Sequence, residues 1–419
     1  MGATEAAQLL GVDVRSLYAY VSRGALARAG TDPRRRSLYD SDEVELLASR
    51  GRPRSGGHPR GGIDVVIGSS VSTLGDGWVR YRGYAVLDLL ARGASFENVA
   101  ELLWTGRLDT LVDGWILPAP TRELIVRVLE PFDRRADVLD RMAAALAALN
   151  GVPAPADGPE DADAGSGNRV PDGLDGQLAA VGRRVVLSLV TAVGEVSSAR
   201  PPGKDASVAA QLFQRLSPLR PTSARVRALD RALVLLADHE LATSTLAVRV
   251  AASTRTSVVG ALQAGLGAVG GTAHAGAAAA VRRALIDLSC GGAGPTALDL
   301  PGFGHPVHRT ADPRAVPLLD AVRTIATPRD WSVIGSALAG EVGGAPGSSG
   351  APNVDFALGA LSFVARMPPR AATAIFAVAR SAGWIAHASE EFAEKPLRYR
   401  ARAVARRRGA PPSDAAGPR

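Results

Sequence analysis

The chain has 419 residues and a mass of 43.2 kDa, which is long enough for two or three domains with a large buried core. Its 46% hydrophobic and 21% charged residues are typical of a globular protein. The single cysteine, Cys290, excludes a disulfide framework and a cysteine-cluster metal site. No apolar run approaches the ~20 residues that cross a bilayer, and no secretion signal precedes the first helix pattern. We therefore expect a cytoplasmic protein without a membrane partner.

The net charge of +7 is concentrated at the two ends of the chain. Residues 1–60 contain ten arginines against seven acidic residues, and residues 395–419 contain eight basic residues against one acidic residue. The stretch between them, 61–394, carries 30 basic and 33 acidic residues, a net of −3. This distribution argues against a body that coats nucleic acid on all sides, while a basic arm or module remains an option.

The sequence pattern of residues 1–50 predicts a small helical unit. Thr4 can cap a first helix, a glycine turn follows, and Asp13 can cap a second helix that runs to about Ser22. The pattern "TEAAQLLGVDVRSLYAYVSRGAL" resembles the winged helix-turn-helix of the MerR and excisionase type.

That resemblance implies a second helix in the major groove of DNA and a wing on its backbone. On this chain it places four side chains near DNA, namely Arg15 and Tyr18 of the second helix and Arg34 and Arg35 of the wing. The alternative is a helical docking module that does not bind DNA.

The rest of the chain predicts a mostly α architecture with two irregular segments. Residues 51–62 are rich in Gly, Pro and Arg, which predicts a linker, and residues 150–173 are polar and low in complexity, as in a disordered insertion. Residues 226–254 and 370–395 have apolar side chains at three- and four-residue spacing, which predicts helices. The best strand candidate is "DVVIGSSVSTL".

Four downstream segments each place an ionisable side chain in a small-residue or irregular context: His239, His274, His305 and Asp355. Each has a structural alternative when taken alone. A histidine on an apolar helix is more often a hydrogen-bonded core residue, and an Asp after Pro-Asn commonly caps or turns. His308 and His387 carry no signal beyond such structural roles.

Together the four segments resemble the citrate synthase family. The stretches "GTAHAGAA", "GFGHPVHRTADPR" and "PNVDF" match its patterns in the correct order, and "YRGYAVLDLLARGASFENVAELLW" and "ARSAGWIAHASEEF" support the match. The resemblance spans residues ~61 to ~405. It implies a large helical domain, 63–276 with 362–405, a small helical domain, 277–361, and a basic tail, 406–419.

The resemblance also implies a condensation of acetyl-CoA or propionyl-CoA with oxaloacetate, without a cofactor or a metal. Asp355 would be the base that removes the thioester α-proton, in partly apolar surroundings that raise its pKa. His274 would donate a hydrogen bond to the thioester oxygen, worth roughly 3–4 kcal/mol of barrier. His305 would polarise the ketone and protonate the new alkoxide.

For the dicarboxylate, the resemblance implies cations in a bidentate geometry, which favours Arg over Lys. The matched positions are His239, Arg314 and Arg380, and Arg309 matches a position that contacts CoA phosphates in part of the family. A further arginine comes from the partner subunit in the family. Arg400 fits its spacing, with Lys395 as the competing alignment. A homodimer with shared active sites is therefore expected.

The chain departs from the family pattern after His274, where Ala275, Ala278 and Ala279 replace a glycine and two polar residues. We expect these replacements to weaken the binding of CoA. Three interpretations remain open: an active citrate or 2-methylcitrate synthase, a DNA-binding regulator with a metabolite-sensing core, and a structural dimer without a ligand.

Overall fold

The computed structural model describes most of the chain, with gaps. The described residues are 1–10, 12–22, 26–31, 36–41, 44, 65–108, 114–133, 136–151, 175–194, 206–271, 276–292, 301–305, 307, 308, 310–342 and 350–401. They form two compact units, Met1–Ser70 and Val71–Arg419. The predicted linker 51–62, the tail 406–419 and nearly all of the predicted insertion 150–173 lie outside the described residues.

The first unit consists of two short helices and a two-stranded antiparallel sheet. The helices are α1 (Ala3–Leu10) and α2 (Val14–Ser22), and the strands are β1 (Gly30–Thr31) and β2 (Ser37–Leu38). Ala6, Leu17, Leu26, Tyr39 and Val44 form its small core.

The sequence predicts two helix caps in this unit, and the structure contains one of them. Asp13 Oδ1 accepts a hydrogen bond from the Ser16 amide at 2.7 Å, as expected for a residue that caps α2. Thr4, in contrast, lies inside α1, which begins one residue earlier. The expected cap at Thr4 is therefore wrong.

The second unit begins with a three-stranded antiparallel sheet of β3 (Ser72–Gly75), β4 (Trp78–Tyr81) and β5 (Tyr84–Ala85). Ser72 pairs with Tyr81 and Gly75 with Trp78, so β3 and β4 form a tight hairpin. Only the last part of the predicted strand segment lies in a β-strand, since β3 begins at Ser72.

Fourteen helices follow in the described part of the second unit. They are α3 (Val86–Ala91), α4 (Phe96–Thr105), α5 (Ala119–Leu129), α6 (Val138–Asn150), α7 (Asp175–Ala192), α8 (Val208–Leu216), α9 (Ser223–Leu236), α10 (Thr243–Ala252), α11 (Val258–Val269), α12 (Ala277–Ser289), α13 (Ala315–Ile325), α14 (Pro328–Val342), α15 (Val354–Val364) and α16 (Ala371–Phe392). The predicted mostly α class is confirmed.

Helix α16 lies at the centre of the core. It is buried along nearly its whole length and packs against α4, α7, α9, α10 and α11. Its small residues allow this close packing: a Cβ at Gly383 would lie 2.7 Å from the carbonyl oxygen of Ala237. This contact brings α16 against the turn that follows α9.

Helix α15 packs against α12 and against α13, and α13 also packs on α9. The division into a large and a small domain stays a prediction. None of the described helices is both long enough and apolar enough to cross a membrane.

Candidate active site

The loop that carries His305 is fixed against the residues that precede α15. The Gly304 amide donates to the Ala351 carbonyl at 3.0 Å, and the Asn353 amide donates to the Gly302 carbonyl at 2.9 Å. The Asn353 side chain then donates to the Gly304 carbonyl at 2.8 Å. These bonds bring the His305 loop and the start of α15 together.

This loop needs glycine for its backbone path. Gly302 and Gly304 have φ values of 103° and 68°, which disfavour residues with a side chain. A Cβ at Gly302 would also lie 2.9 Å from Val281 and 3.1 Å from Phe356. At Gly302 the backbone therefore lies close to two helices of the protein itself, α12 and α15.

The His305 ring presents a proton donor. Its Nδ1 accepts hydrogen bonds from the backbone amides of Val307 and His308, at 3.1 and 3.2 Å. Because two amides donate to Nδ1, the neutral ring carries its proton on Nε2, and the contact of Nε2 with Arg314 Nη2 at 3.3 Å is then not a hydrogen bond, since a guanidinium cannot accept. Burial, with the nearby Arg314 charge, lowers the pKa of His305 to about 4, so the ring is neutral at pH 7. Its Nε2–H is available to a ligand oxygen.

A buried ion pair holds Arg314 beside His305. Arg314 Nε donates to Asp312 Oδ1 at 2.8 Å and Arg314 Nη2 donates to Oδ2 at 2.9 Å, a bidentate geometry. The same Nη2 lies 3.3 Å from His305 Nε2. Burial opposes the charge of Asp312, but the Arg314 guanidinium lowers the pKa of that carboxyl to about 2. The pair is therefore charged at neutral pH.

Asp312 also fixes the helix that carries the candidate base. Its Oδ2 accepts a hydrogen bond from the Val354 amide at 2.9 Å, at the first residue of α15. Asp355 follows in the first turn, and its amide donates to Asn353 Oδ1 at 2.9 Å. The motif Asp-Pro-Arg thus joins the His305 loop to Asp355. The sequence pattern contains this motif but does not indicate a role for Asp312.

Arg380 approaches the same region from α16. It is only 2% exposed, its Nε donates to the Leu236 carbonyl at 2.9 Å, and its guanidinium lies 4.6 Å from the Phe376 ring centre. Burial lowers the pKa of Arg380, and the charges of Asp238, Arg314 and Asp355 act on it. Two buried arginines therefore converge near Asp355.

His239 completes a cluster of three histidines. Its ring centre lies 5.1 Å from that of His305 and 5.5 Å from that of His308. Burial and the nearby arginines lower the pKa of His239, so this ring is neutral. His308 is 2% exposed, and its Nε2 lies 3.3 Å from His239 Nε2. The structure therefore places His308, to which the sequence gave no part in a site, directly beside the candidate site residues.

The β3–β4 hairpin supports the cluster from outside. His308 Nδ1 donates to the Gly75 carbonyl at 2.9 Å, and Asp76 accepts from Thr310. At the other end of the hairpin, Ser72 donates to the Asp238 carboxylate. The hairpin thus helps to position the histidines. No sequence motif indicates this contact.

A buried polar network lies behind His239. Asp238 Oδ2 is 3.2 Å from His387 Nε2, and His387 Nδ1 is 3.2 Å from the guanidinium of Arg249. Arg249 pairs with Glu391 at 2.9 Å and with Glu390 at 2.5 Å. His387, as expected from the sequence, is a hydrogen-bonded core residue.

Three of the predicted residues do not join this cluster in the described structure. His274 and Arg309 lie outside the described residues. Arg400 is exposed, with no hydrogen bond or ion pair to the described part of its own chain. The structure brings together His239, His305, Arg314 and Arg380, with Asp355 at the adjacent start of α15.

The three histidine rings could in principle bind a metal ion, since their ring nitrogens lie within 4.8 Å of one another. Two features oppose this use. Arg314 places a guanidinium 3.3 Å from His305 Nε2, and His305 Nδ1 faces two amide donors, so Nε2 must keep its proton. The donor set fits an anionic ligand better than a dication.

Comparisons with known proteins identify the family of this chain. The family profile "Citrate synthase, C-terminal domain" matches residues 63–402. The citrate synthase of Haloferax volcanii is 32% identical over 83% of this chain and 96% of its own length, and a 2-methylcitrate synthase of Mycobacterium tuberculosis is 30% identical over 74% and 80%. The chain belongs to the citrate synthase family.

Solved structures show the same fold. The citrate synthase of Pyrobaculum aerophilum superposes with a TM-score of 0.62 at 24% identity, covering 84% of this chain and 91% of that one. A Thermoplasma acidophilum citrate synthase in ternary complex with carboxymethyl coenzyme A and oxaloacetate gives the same score and identity, covering 84% and 97%. The expected citrate synthase fold of the region after the first unit is confirmed.

Proposed function

We propose that this protein condenses an acyl-CoA with oxaloacetate, giving citrate from acetyl-CoA or 2-methylcitrate from propionyl-CoA, together with CoA. One observation carries the proposal beyond the family match. Asp312 joins Arg314, next to His305, to the first amide of the helix that begins with Asp355 in its first turn. One buried carboxylate, that of Asp312, thereby positions the group that polarises the ketone, the group that binds a carboxylate and the base.

Oxaloacetate is the anion that this cluster suits. Its two carboxylates match the positive charges of Arg314 and Arg380; Asp312 occupies Nε and Nη2 of Arg314, which leaves Nη1 for a ligand, and the Leu236 carbonyl occupies only Nε of Arg380. Both arginines are almost fully buried, so little water competes with their charges. His239 lies near both arginines and His305, and its ring is neutral, so it adds no charge to the site.

The proton chemistry follows from the protonation states. The Asp355 carboxylate removes a proton from the α-carbon of the acyl-CoA, and the resulting enolate attacks the ketone carbon of oxaloacetate. His305 Nε2–H polarises the ketone and then gives its proton to the new alkoxide. Water finally hydrolyses the thioester, which releases CoA. The role of His274 toward the thioester oxygen rests on the family resemblance alone.

The first turn of α15 suits a carboxylate base. Asp355 lies at the positive end of this helix, and it interacts with the charge of Arg380. Both features favour the ionised form that accepts a proton. That its apolar neighbours raise its pKa stays a prediction.

A homodimer is part of the proposal. The cluster of one chain contains Arg314 and Arg380, and Arg400 is exposed on its own subunit. An arginine that is exposed on one chain can complete the site of a second copy. Arg309 as a contact for CoA phosphates, and a cytoplasmic location, stay predictions.

The first unit is proposed to be a helix-turn-helix module. Its support is the pair of helices α1 and α2, the small β1–β2 sheet, and the exposure of Arg15 and Tyr18 on α2. Arg34 and Arg35 lie outside the described residues. The relatives named above are synthases, and no described feature favours the DNA-binding regulator as the function.

The test is release of the CoA thiol by the purified protein with oxaloacetate and either acetyl-CoA or propionyl-CoA. Asp355→Asn is expected to lower kcat at least a thousandfold while it still binds oxaloacetate. The matched control is Asp320→Asn, which changes an exposed carboxylate on α13 and keeps wild-type rates. Oxaloacetate binding without turnover for either acyl-CoA would overturn the proposal.

A further inference from the structure

A second concave site lies apart from the histidine cluster. It is a cleft of about 390 Å³ between the last turns of α12 and α15 and the first turn of α14. Its charged and apolar lining includes Arg282, Arg329, Arg366, Asp330, Ile286 and Phe363. Asp355 lies in the first turn of α15 and Phe363 in its last, so the helix separates the cleft from the candidate active site by ~12 Å.

The cleft carries positive charge that its own carboxylate does not neutralise. Arg366 Nη2 donates to both carboxylate oxygens of Asp330, at 2.8 and 3.0 Å, which accounts for the negative charge in the lining. Arg329 donates to the Ser289 carbonyl at 3.1 Å, a neutral partner. Arg282 and Arg329 therefore contribute two positive charges with no matching anion among the described residues of the cleft.

Arg282 is the most informative of these residues. Its Nε is buried and has no hydrogen-bond partner in the described part of the chain. Burial lowers the pKa of Arg282, but a guanidinium keeps its charge in any protein environment. A buried donor without an acceptor is unfavourable, and an anionic oxygen in the cleft would supply the missing acceptor.

One further feature fits an organic body attached to the anionic group. Ile286 and Phe363 provide an apolar wall, and the volume exceeds that of a lone oxyanion.

We propose that this cleft binds a small phosphorylated molecule through its phosphoryl group. A phosphoryl dianion matches the two uncompensated charges of Arg282 and Arg329, whereas one carboxylate would match only one. Guanidinium groups bind phosphate oxygens in a planar fork geometry. The organic part of the ligand packs against Ile286 and Phe363. The site does not depend on the proposed reaction.

The test is calorimetric titration of the full-length protein with phenyl phosphate, with inorganic phosphate and with phenol. Oxaloacetate and CoA are present at saturation, so the arginines of the candidate active site are occupied. Phenyl phosphate is expected to bind, and Arg282→Gln to weaken this binding at least tenfold. The control Arg283→Gln changes an exposed arginine of the same helix outside the cleft and leaves the affinity unchanged.

Each outcome decides the proposal. Binding of both phosphates, or of phenyl phosphate alone, with loss in Arg282→Gln and in Arg329→Gln supports the site and separates free phosphate from a phosphorylated organic ligand. Equal affinity of wild type and Arg282→Gln, or equal weakening by Arg282→Gln and Arg283→Gln, overturns it. Urea unfolding of each variant without ligand confirms that the proteins compared are folded.

Discussion

Nε2 of His308 lies 3.3 Å from Nε2 of His239, and the Gly75 carbonyl determines which ring donates. Because the carbonyl can only accept, His308 carries its proton on Nδ1 and offers Nε2 as the acceptor. His239 must then donate its Nε2–H. The β3–β4 hairpin thus fixes the proton position of a ring that faces the proposed oxaloacetate site.

Two substitutions test the two nitrogen atoms of the His308 ring one at a time. His308→Asn keeps a donor near the position of Nδ1, and His308→Gln keeps a polar group near the position of Nε2. We expect His308→Asn to raise the KM for oxaloacetate up to about tenfold, since one hydrogen bond is worth about 0.5–1.5 kcal/mol. We expect His308→Gln to raise it less and kcat to change little in both. Steady-state kinetics that show wild-type KM in both variants would contradict a positioning role.

Asp312→Asn tests the carboxylate that joins the loop to α15. The variant leaves the buried Arg314 guanidinium without a charged partner, which costs about 3–5 kcal/mol of unfolding free energy. It also loosens Arg314 and the first turn of α15, so the Kd of oxaloacetate is expected to rise at least tenfold. Urea unfolding and calorimetry measure the two effects. If Asp312→Asn behaves like the exposed control Asp320→Asn, the carboxylate has no such role.

Asp230 predicts a pH dependence of stability. Burial, with the charge of Glu97, raises the pKa of Asp230 from 3.8 to about 7. Between these values the unfolded chain has released the proton and the folded protein keeps it, so stability contributed by this group is lost as the pH rises from about 4 to about 7. The loss amounts to as much as about 4 kcal/mol.

Asp230→Asn removes this titration and keeps an oxygen for the Phe96 amide, which donates to Asp230 at 3.0 Å. The variant is therefore expected to be more stable than wild type above pH 7, with a difference that shrinks toward pH 4. Urea unfolding at pH 5, 6, 7 and 8 measures the difference. A constant difference over this range would show that Asp230 does not titrate there.

Arg249→Leu tests the buried network behind His239. Arg249 is fully buried and pairs with Glu390 and Glu391, so its removal leaves buried carboxylates with fewer partners. A loss of about 3–5 kcal/mol of unfolding free energy is expected. The control Arg227→Leu changes an exposed arginine of α9 and is expected to cost less than about 0.5 kcal/mol. Similar losses in the two variants would mean that the network adds no stability.

The sequence predicts those candidate site residues that lie within short contiguous motifs. His305 and Arg314 belong to one stretch with two glycines and an Asp-Pro-Arg turn, and Asp355 follows Pro-Asn at a helix start. Their spacing is set by local backbone geometry, so the pattern survives in the linear sequence. His239 and Arg380 were found in the same way, through the order of the motifs along the chain.

His308 and Asp312 were missed although they lie in the same stretch. Nothing local distinguishes a solvated histidine from one that donates to Gly75, because the hairpin lies more than 230 residues earlier in the chain. The role of Asp312 likewise depends on the Val354 amide, which the sequence does not place. The cleft at Arg282 combines three helices that no motif connects.

Neighbouring residues encode helical periodicity and short motifs, so the order of residues alone was enough for the helical class, the family and most residues of the candidate active site. The proton positions of His239 and His305, the charge of the Asp312–Arg314 pair and the unpartnered Nε of Arg282 became known only from the folded chain. Each of these depends on burial and on groups far apart in the sequence, and burial arises only when the helices pack.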